Sequence, residues 1–182
     1  MKQRLLFLGP PGAGKGTQAQ RLASDHNLLH LSTGDLLRAE VQAGSALGQE
    51  AEAVMARGEL VSDALVLAIV RQRLENHQGG WLLDGFPRNP EQAEALDVLL
   101  AELNQSIELV VLLELEDAQL IQRLLTRGRS DDNEAVIRHR LTVYREQTEP
   151  LIARYRGLGL LESVEAHGTV EAISERIAAL LG

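Results

Sequence analysis

The sequence predicts an α/β protein: a five-stranded parallel sheet with helices on both faces. Two observations carry this. First, five short runs are rich in Leu and Val and nearly continuous in apolar residues: Arg4–Leu8, Leu28–Leu31, Trp81–Leu83, Leu109–Leu113 and Leu160–Val164. Continuous apolar runs of that length, without in-out alternation, suit strands buried on both faces. Second, the stretches between them, among them Lys15–His26, Asp63–Asn76, Pro90–Leu103 and Asp117–Arg127, place apolar residues at helical spacing. Strand-helix alternation gives crossover connections, and crossovers give a parallel sheet covered on both sides. One stretch breaks the rhythm. Ser32–Val61 carries two helical patterns joined at Gly44-Ser45 and no strand, so it is expected to be a helical insertion standing off the core.

The 182 residues suit one core with small insertions. Aromatics make up only 3% against 45% hydrophobic residues, so aliphatic side chains must build the interior. No apolar run approaches the ~18 residues of a membrane helix. Gly9-Pro10-Pro11 ends the first apolar run too early for a signal peptide, and a cytoplasmic location is expected. With no cysteine, disulfides and thiolate zinc sites are excluded. His26, His30, His77, His139 and His167 show no metal-ligand spacing and read as ordinary surface or core residues. A net charge of −8 argues against nucleic acid or an anionic membrane as partner. Any anion site must therefore concentrate its positive charge locally, and only two of the 18 basic residues are lysines, Lys2 and Lys15.

Lys15 sits in the most specific motif. The first strand runs into Gly9-Pro10-Pro11-Gly12-Ala13-Gly14-Lys15-Gly16-Thr17-Gln18, and a helix follows. This is the G-x-x-x-x-G-K spacing of a phosphate-binding loop. Glycines let several backbone N–H groups point at one anion, and the helix N-terminus adds its dipole. Lys15 can then reach the outer phosphates as a point charge. Strand before, helix after and the lysine in register outweigh a plain Gly/Pro-rich turn. Gly16 stands where the general loop has Ser or Thr, so the usual magnesium-binding hydroxyl is displaced to Thr17.

The variant Gly-Lys-Gly-Thr-Gln resembles the adenylate kinase and UMP/CMP kinase family. Three further segments agree, in the family's order: Leu31-Ser32-Thr33-Gly34-Asp35-Leu36-Leu37-Arg38, Asp84-Gly85-Phe86-Pro87-Arg88 and Gly128-Arg129-Ser130-Asp131-Asp132. The resemblance implies a three-layer P-loop nucleoside monophosphate kinase fold, with 1–31, 62–125 and 133–182 as core. It makes 32–61 an AMP-binding lobe and 126–132 a short lid without zinc. It implies Gly12, Ala13, Gly14, Lys15, Gly16 and Thr17 around ATP, a cis Phe86-Pro87 bond, and Gly85, Phe86, Pro87 and Arg88 against AMP.

The residues support these roles to different degrees. Asp84 ends an apolar strand near the loop, where a carboxylate can hold magnesium or its water shell; a helix N-cap is the alternative. Arg88 follows Pro87 in a rigid turn and can offer a planar fork to phosphate. Arg123 and Arg127 stand at i, i+4 with no acid four residues before either, a repulsion an external anion would relieve; two solvated arginines are the alternative. The resemblance implies the ATP phosphates, with Arg123 beside the adenine. Arg138 has Glu134 four residues earlier and reads as a surface pair, whereas Arg140 has Val136 and Tyr144 at i±4. The family pattern puts functional arginines at 129 and 140. Gly168, in the final loop, either contacts adenine through backbone or is a plain turn glycine.

For the acceptor, Thr33 and Arg38 open the insertion, and Glu59, Leu60 and Val61 offer backbone and apolar contacts. Gln92 has an amide that can both donate to and accept from the adenine edge; the alternative is a solvent-facing residue. The expected function is magnesium-dependent phosphoryl transfer, ATP + AMP = 2 ADP, by a monomer. It needs alignment and charge neutralisation rather than a covalent nucleophile. The rivals are a UMP/CMP kinase and a nucleotide-dependent regulatory module; the latter has no reason for the set Arg38, Arg88, Arg129 and Arg140.

Overall fold

A computed structural model of the chain describes residues 1–56, 61–128 and 133–182. The strands are β1 (Arg4–Leu8), β2 (Leu29–Ser32), β3 (Trp81–Asp84), β4 (Leu109–Glu114) and β5 (Leu161–Glu165). They form one sheet in the order β2-β3-β1-β4-β5. Every pairing is parallel, with Leu5 opposite Leu82 and Leu109, and Leu31 opposite Leu83. The helices are α1 (Lys15–His26), α2 (Thr33–Ala43), α3 (Ala46–Ala56), α4 (Asp63–Leu74) and α5 (Pro90–Glu102). They continue with α6 (Asp117–Arg127), α7 (Glu134–Val143), α8 (Glu149–Gly157) and α9 (Val170–Ala178). The expected fold class stands.

Alternate residues of each strand feed opposite layers, as the two-residue strand period requires. Leu5, Phe7, Leu82, Val111 and Val164 pack with Leu22 of α1, Leu124 of α6, Leu141 of α7 and Ile177 of α9. Leu6, Leu8, Leu83, Val110 and Leu112 face Ile69 of α4, Leu96 of α5 and Leu151 of α8. Burying one such side chain fully stabilises by roughly 1.5–3 kcal/mol, so two aliphatic layers suffice where aromatics are few.

Two strands begin one residue later than the aliphatic runs suggest. Leu28 N–H donates to the Ala23 carbonyl at 2.8 Å, and Leu160 N–H to the Tyr155 carbonyl at 3.1 Å. Each bond spans five residues across a left-handed residue, Asn27 or Gly159. That is the Schellman closure of a helix, whose apolar last residue packs back on the helix end. Leu28 and Leu160 therefore finish α1 and α8 rather than start strands.

The insertion consists of α2 and α3, joined at Gly44-Ser45; Ser32, its expected first residue, instead closes β2 and N-caps α2. It is anchored to α4. Leu36 and Ala51 share the core layer of Leu65 and Ile69. The Glu40 carboxylate, only 5% exposed, accepts from Arg73 of α4 at 3.1 Å and from the Ser45 hydroxyl. At the sheet, β1 leads through α1 to one side and β4 leads to the other. A crevice opens outside the carboxyl ends of the strands where the order reverses, the usual ligand position of open α/β sheets.

Candidate functional site

The loop after β1 turns on glycines. Gly12 and Gly14 have φ of 86° and 90°, a region side chains resist. A Cβ on Gly12 would also stand 3.0 Å from Leu124 Cγ. Gly14 is the N-cap of α1, and no side chain caps that end, nor does an acid occupy its first turn. The leading N–H groups of α1 are thus oriented for an anion. The Lys15 ammonium donates to the carbonyls of Gly9 at 2.7 Å and Pro10 at 3.4 Å, which holds it over the loop.

Asp84 ends β3 beside β1, Phe7 lying opposite it. The capping alternative falls away. Asn89 caps α5, accepting from Gln92 N–H at 2.9 Å, and Pro90 takes the first turn. Asp84 is 8% exposed. Burial pushes its carboxyl above the usual range, against the fields of Lys15, His30 and Arg88. Burial likewise pulls the Lys15 ammonium down, while Asp84 raises it. The two charges are mutual partners in a site that penalises each alone.

The Phe86–Pro87 bond is cis, as the resemblance implies. Gly85 must be glycine: its φ is 93°, and a Cβ there would sit 2.7 Å from Thr33 Oγ1. That contact brings the start of α2 against the segment after β3. Arg88 Nε donates to the Gly85 carbonyl at 3.0 Å.

These groups line one cleft of about 700 Å³. Gly12, Gly14, Lys15, Gly16 and Thr17 form its floor, and Asp84, Gly85, Pro87 and Arg88 one wall. Arg123 and Arg127 of α6 and Arg140 of α7 reach it from the other side. Arg123 also donates to the Ala166 carbonyl at 2.6 Å and to the Gly12 carbonyl at 3.4 Å, tying the phosphate loop to the final loop. Arg138 pairs with Glu134 at 2.9 Å on the outer surface, as its spacing predicts.

Other expected residues stand apart from this cleft. Ala13 and Phe86 are buried beneath it. Thr33 lines a small apolar hollow with Leu36 and Leu37 of α2 and Val66 of α4. Arg38 is 70% exposed and paired with Asp35 on its own helix. That bond holds Asp35 below the ordinary carboxylate range. Gln92 gives both ends of its amide to the protein: Oε1 accepts from Arg88 N–H at 2.6 Å, and Nε2 donates to Asp63 at 2.7 Å. The second lone pair of Oε1 and the second hydrogen of Nε2 remain to read a base. Val61 packs on the core layer of α4 and α5. Gly168, with φ of 110°, precedes the α9 cap Thr169, one residue beyond the His167 carbonyl that Arg176 binds. Glu59, Leu60 and Arg129 lie outside the described residues, as do most of the proposed lid residues; α6 itself runs through Arg127.

The sequence reading passes over one part of the wall. His139, Val143, Tyr144, Gln147 and Thr148 line the cleft from the end of α7 and the turn after it. Pro150, inside a helical run, is the signal that this turn is irregular. Among the described residues no cluster of three or more acids and histidines could hold a metal. None of the helices there is long and apolar enough to cross a membrane.

A glycine loop on a helix N-terminus, a strand-end carboxylate and converging arginines define a nucleotide phosphotransferase, of the nucleoside monophosphate kinase class. The chain belongs to the adenylate kinase family: residues 7–160 match the family described as Adenylate kinase. An "Adenylate kinase" of Synechococcus sp. (strain CC9311) is 75% identical over 182 residues, covering both chains fully. One of Synechococcus sp. (strain RCC307) is 72% identical over 181 residues, again with full coverage of both. A more distant one, of Prochlorococcus marinus (strain MIT 9211), is 58% identical over all of this chain and 98% of its own.

Proposed function

We propose that the chain interconverts ATP plus AMP and two ADP, with magnesium. The observation that carries this reading is the meeting of Lys15, Arg88, Arg123, Arg127 and Arg140 on one cleft at the mouth of the phosphate loop. In a chain of net charge −8, so local a concentration of cations answers to a highly anionic ligand. Two nucleotides laid end to end place their phosphates there. ATP lies over Gly12–Thr17 with its base toward Gly168, and AMP lies along Thr33, Arg38, Glu59–Val61 and Gln92. Arg88, Arg129 and Arg140 then share the phosphates between them.

The residues fit a divalent cation. Asp84 supplies a carboxylate and Thr17 a hydroxyl, and both line the same cleft. Asp84 would hold the ion through water. Bound there, magnesium would supply charge neutralisation to the phosphates. This chain's own groups do the rest. The α1 N-terminus and Lys15 fix the donor phosphates, Arg88 and Arg140 orient the acceptor, and the enclosing segments exclude water that would otherwise accept the phosphoryl group.

The reading divides the chain into a core (1–31, 62–125 and 133–182), an AMP lobe (32–61) and a short lid (126–132). It takes a cytoplasmic monomer. The test is to supply pure protein with ADP and magnesium alone. Equal ATP and AMP should form; a single-nucleotide regulatory module would leave ADP unchanged or release phosphate.

A further inference from the structure

Pro150 lies in a helical run that continues from α7 into α8. Its nitrogen carries no hydrogen, and in a regular α-helix its ring would crowd the carbonyl of Glu146. The run widens instead. Tyr144–Thr148 form a π-helical turn, and Glu149 N–H donates to the Tyr144 carbonyl five residues back. Such single wide turns re-aim the side chains they carry. Here the side chain re-aimed is Thr148, whose Oγ1 donates to the Arg88 carbonyl at 2.8 Å. The same residue is gripped from its other side: Arg88 N–H donates to Gln92 Oε1 at 2.6 Å, and Asp63 holds the Gln92 amide at 2.7 Å. Arg88 thus has its N–H fixed from α5 and α4, its carbonyl from the π-turn, and its Nε from Gly85.

We propose that Thr148 is a positioning residue for Arg88, aligning that arginine with Arg140, which stands on the same helical run. The proposal rests on the reading of Arg88 as a ligand of the acceptor phosphate. Misplacement of a reacting group by an ångström is costly in rate, so one bond that sets the arginine's main chain should register in turnover.

The test compares Thr148→Val, which keeps the branched shape but removes the donor, with Thr148→Ser, which restores it. With Thr148→Val, kcat/KM for AMP should fall by about threefold to tenfold, shared between a higher KM and a lower kcat, the equivalent of one hydrogen bond. KM for ATP and the melting temperature should stay near wild type, and Thr148→Ser should recover the loss. Three results would overturn the proposal: Thr148→Val within twofold of wild type in every parameter, Thr148→Ser as impaired as Thr148→Val, or KM for ATP rising as much as KM for AMP. A wild type that makes no ATP from ADP fails the functional reading itself, which the same assay reveals before any variant is compared.

Discussion

The rim of the sheet and the α2 side of the site are built differently. At the rim, Asp84 is buried and Lys15 partly so; their charges act on each other's protonation, and both hang on a strand end and a helix start that the core fixes. On the α2 side, Arg38 is 70% exposed and paired with Asp35 three residues away, and Gln92 holds Arg88 and Asp63. Buried groups in a fixed dielectric are preorganised and act on the chemical step. Groups already bonded within the protein near the surface trade or share those bonds to meet a ligand, so they act on affinity and discrimination.

The sharpest attempt to break this contrast is Lys15→Ala. It should lower kcat by ~10³ or more with the fold retained, in line with other charge clamps in phosphoryl transfer. A loss under tenfold would remove Lys15 from the chemistry and with it the privilege of the rim. Gln92→Ala comes next. With ATP fixed, kcat/KM for AMP should exceed that for CMP and UMP in the wild type, and the variant should narrow the gap by roughly ten- to a hundredfold. If CMP or UMP rivals AMP in the wild type, the acceptor base is not adenine.

A smaller effect is expected for Arg38→Ala. A charge-assisted bond to phosphate is worth roughly 1.5–3 kcal/mol, offset by up to about 1 kcal/mol for the lost exposed pair with Asp35. KM for AMP should therefore rise by about tenfold, with kcat close to wild type. A fall in kcat alone would place Arg38 with the rim groups. The gentlest probe is titration of Asp84 by carboxyl carbon NMR in Lys15→Met. Lys15 is foremost among the charges that lower the Asp84 pKa, so removing it should move that pKa further above the ordinary carboxylate value. The ionised form is then more costly in the folded state, and stability should fall more steeply as pH rises past the ordinary carboxylate range. An unmoved pKa would mean the two groups are not coupled.

Much of this was legible in the sequence. Aliphatic runs locate all five strands because a parallel sheet buries both faces, and the phosphate loop is a local pattern with a local cause. Leu28 and Leu160 are misread as strand residues because a helix closure wants an apolar residue too. Asn89-Pro90 is a cap with proline in the first turn, a signal that frees Asp84 from capping. Asp35 three residues before Arg38 is likewise visible as a helical pair. The bonds of Arg123 to Gly12 and Ala166 are not legible, since they join residues 111 and 43 positions apart. Nor is the grip of Thr148 on Arg88, which depends on how far a proline opens one helical turn.

The chain's single tryptophan offers a consequence of another kind. Trp81 opens β3, is fully buried, and donates its indole N–H to Gln105 at 3.0 Å, while Gln105 donates to the Leu74 carbonyl at 3.1 Å. It sits three residues before Asp84 on the strand that carries one wall of the cleft. Its emission is therefore a built-in gauge of that strand: blue-shifted while β3 is packed, red-shifted once water reaches the ring. A variant that loses turnover but keeps the blue emission has lost chemistry and not the strand beneath it, and one cuvette reads both.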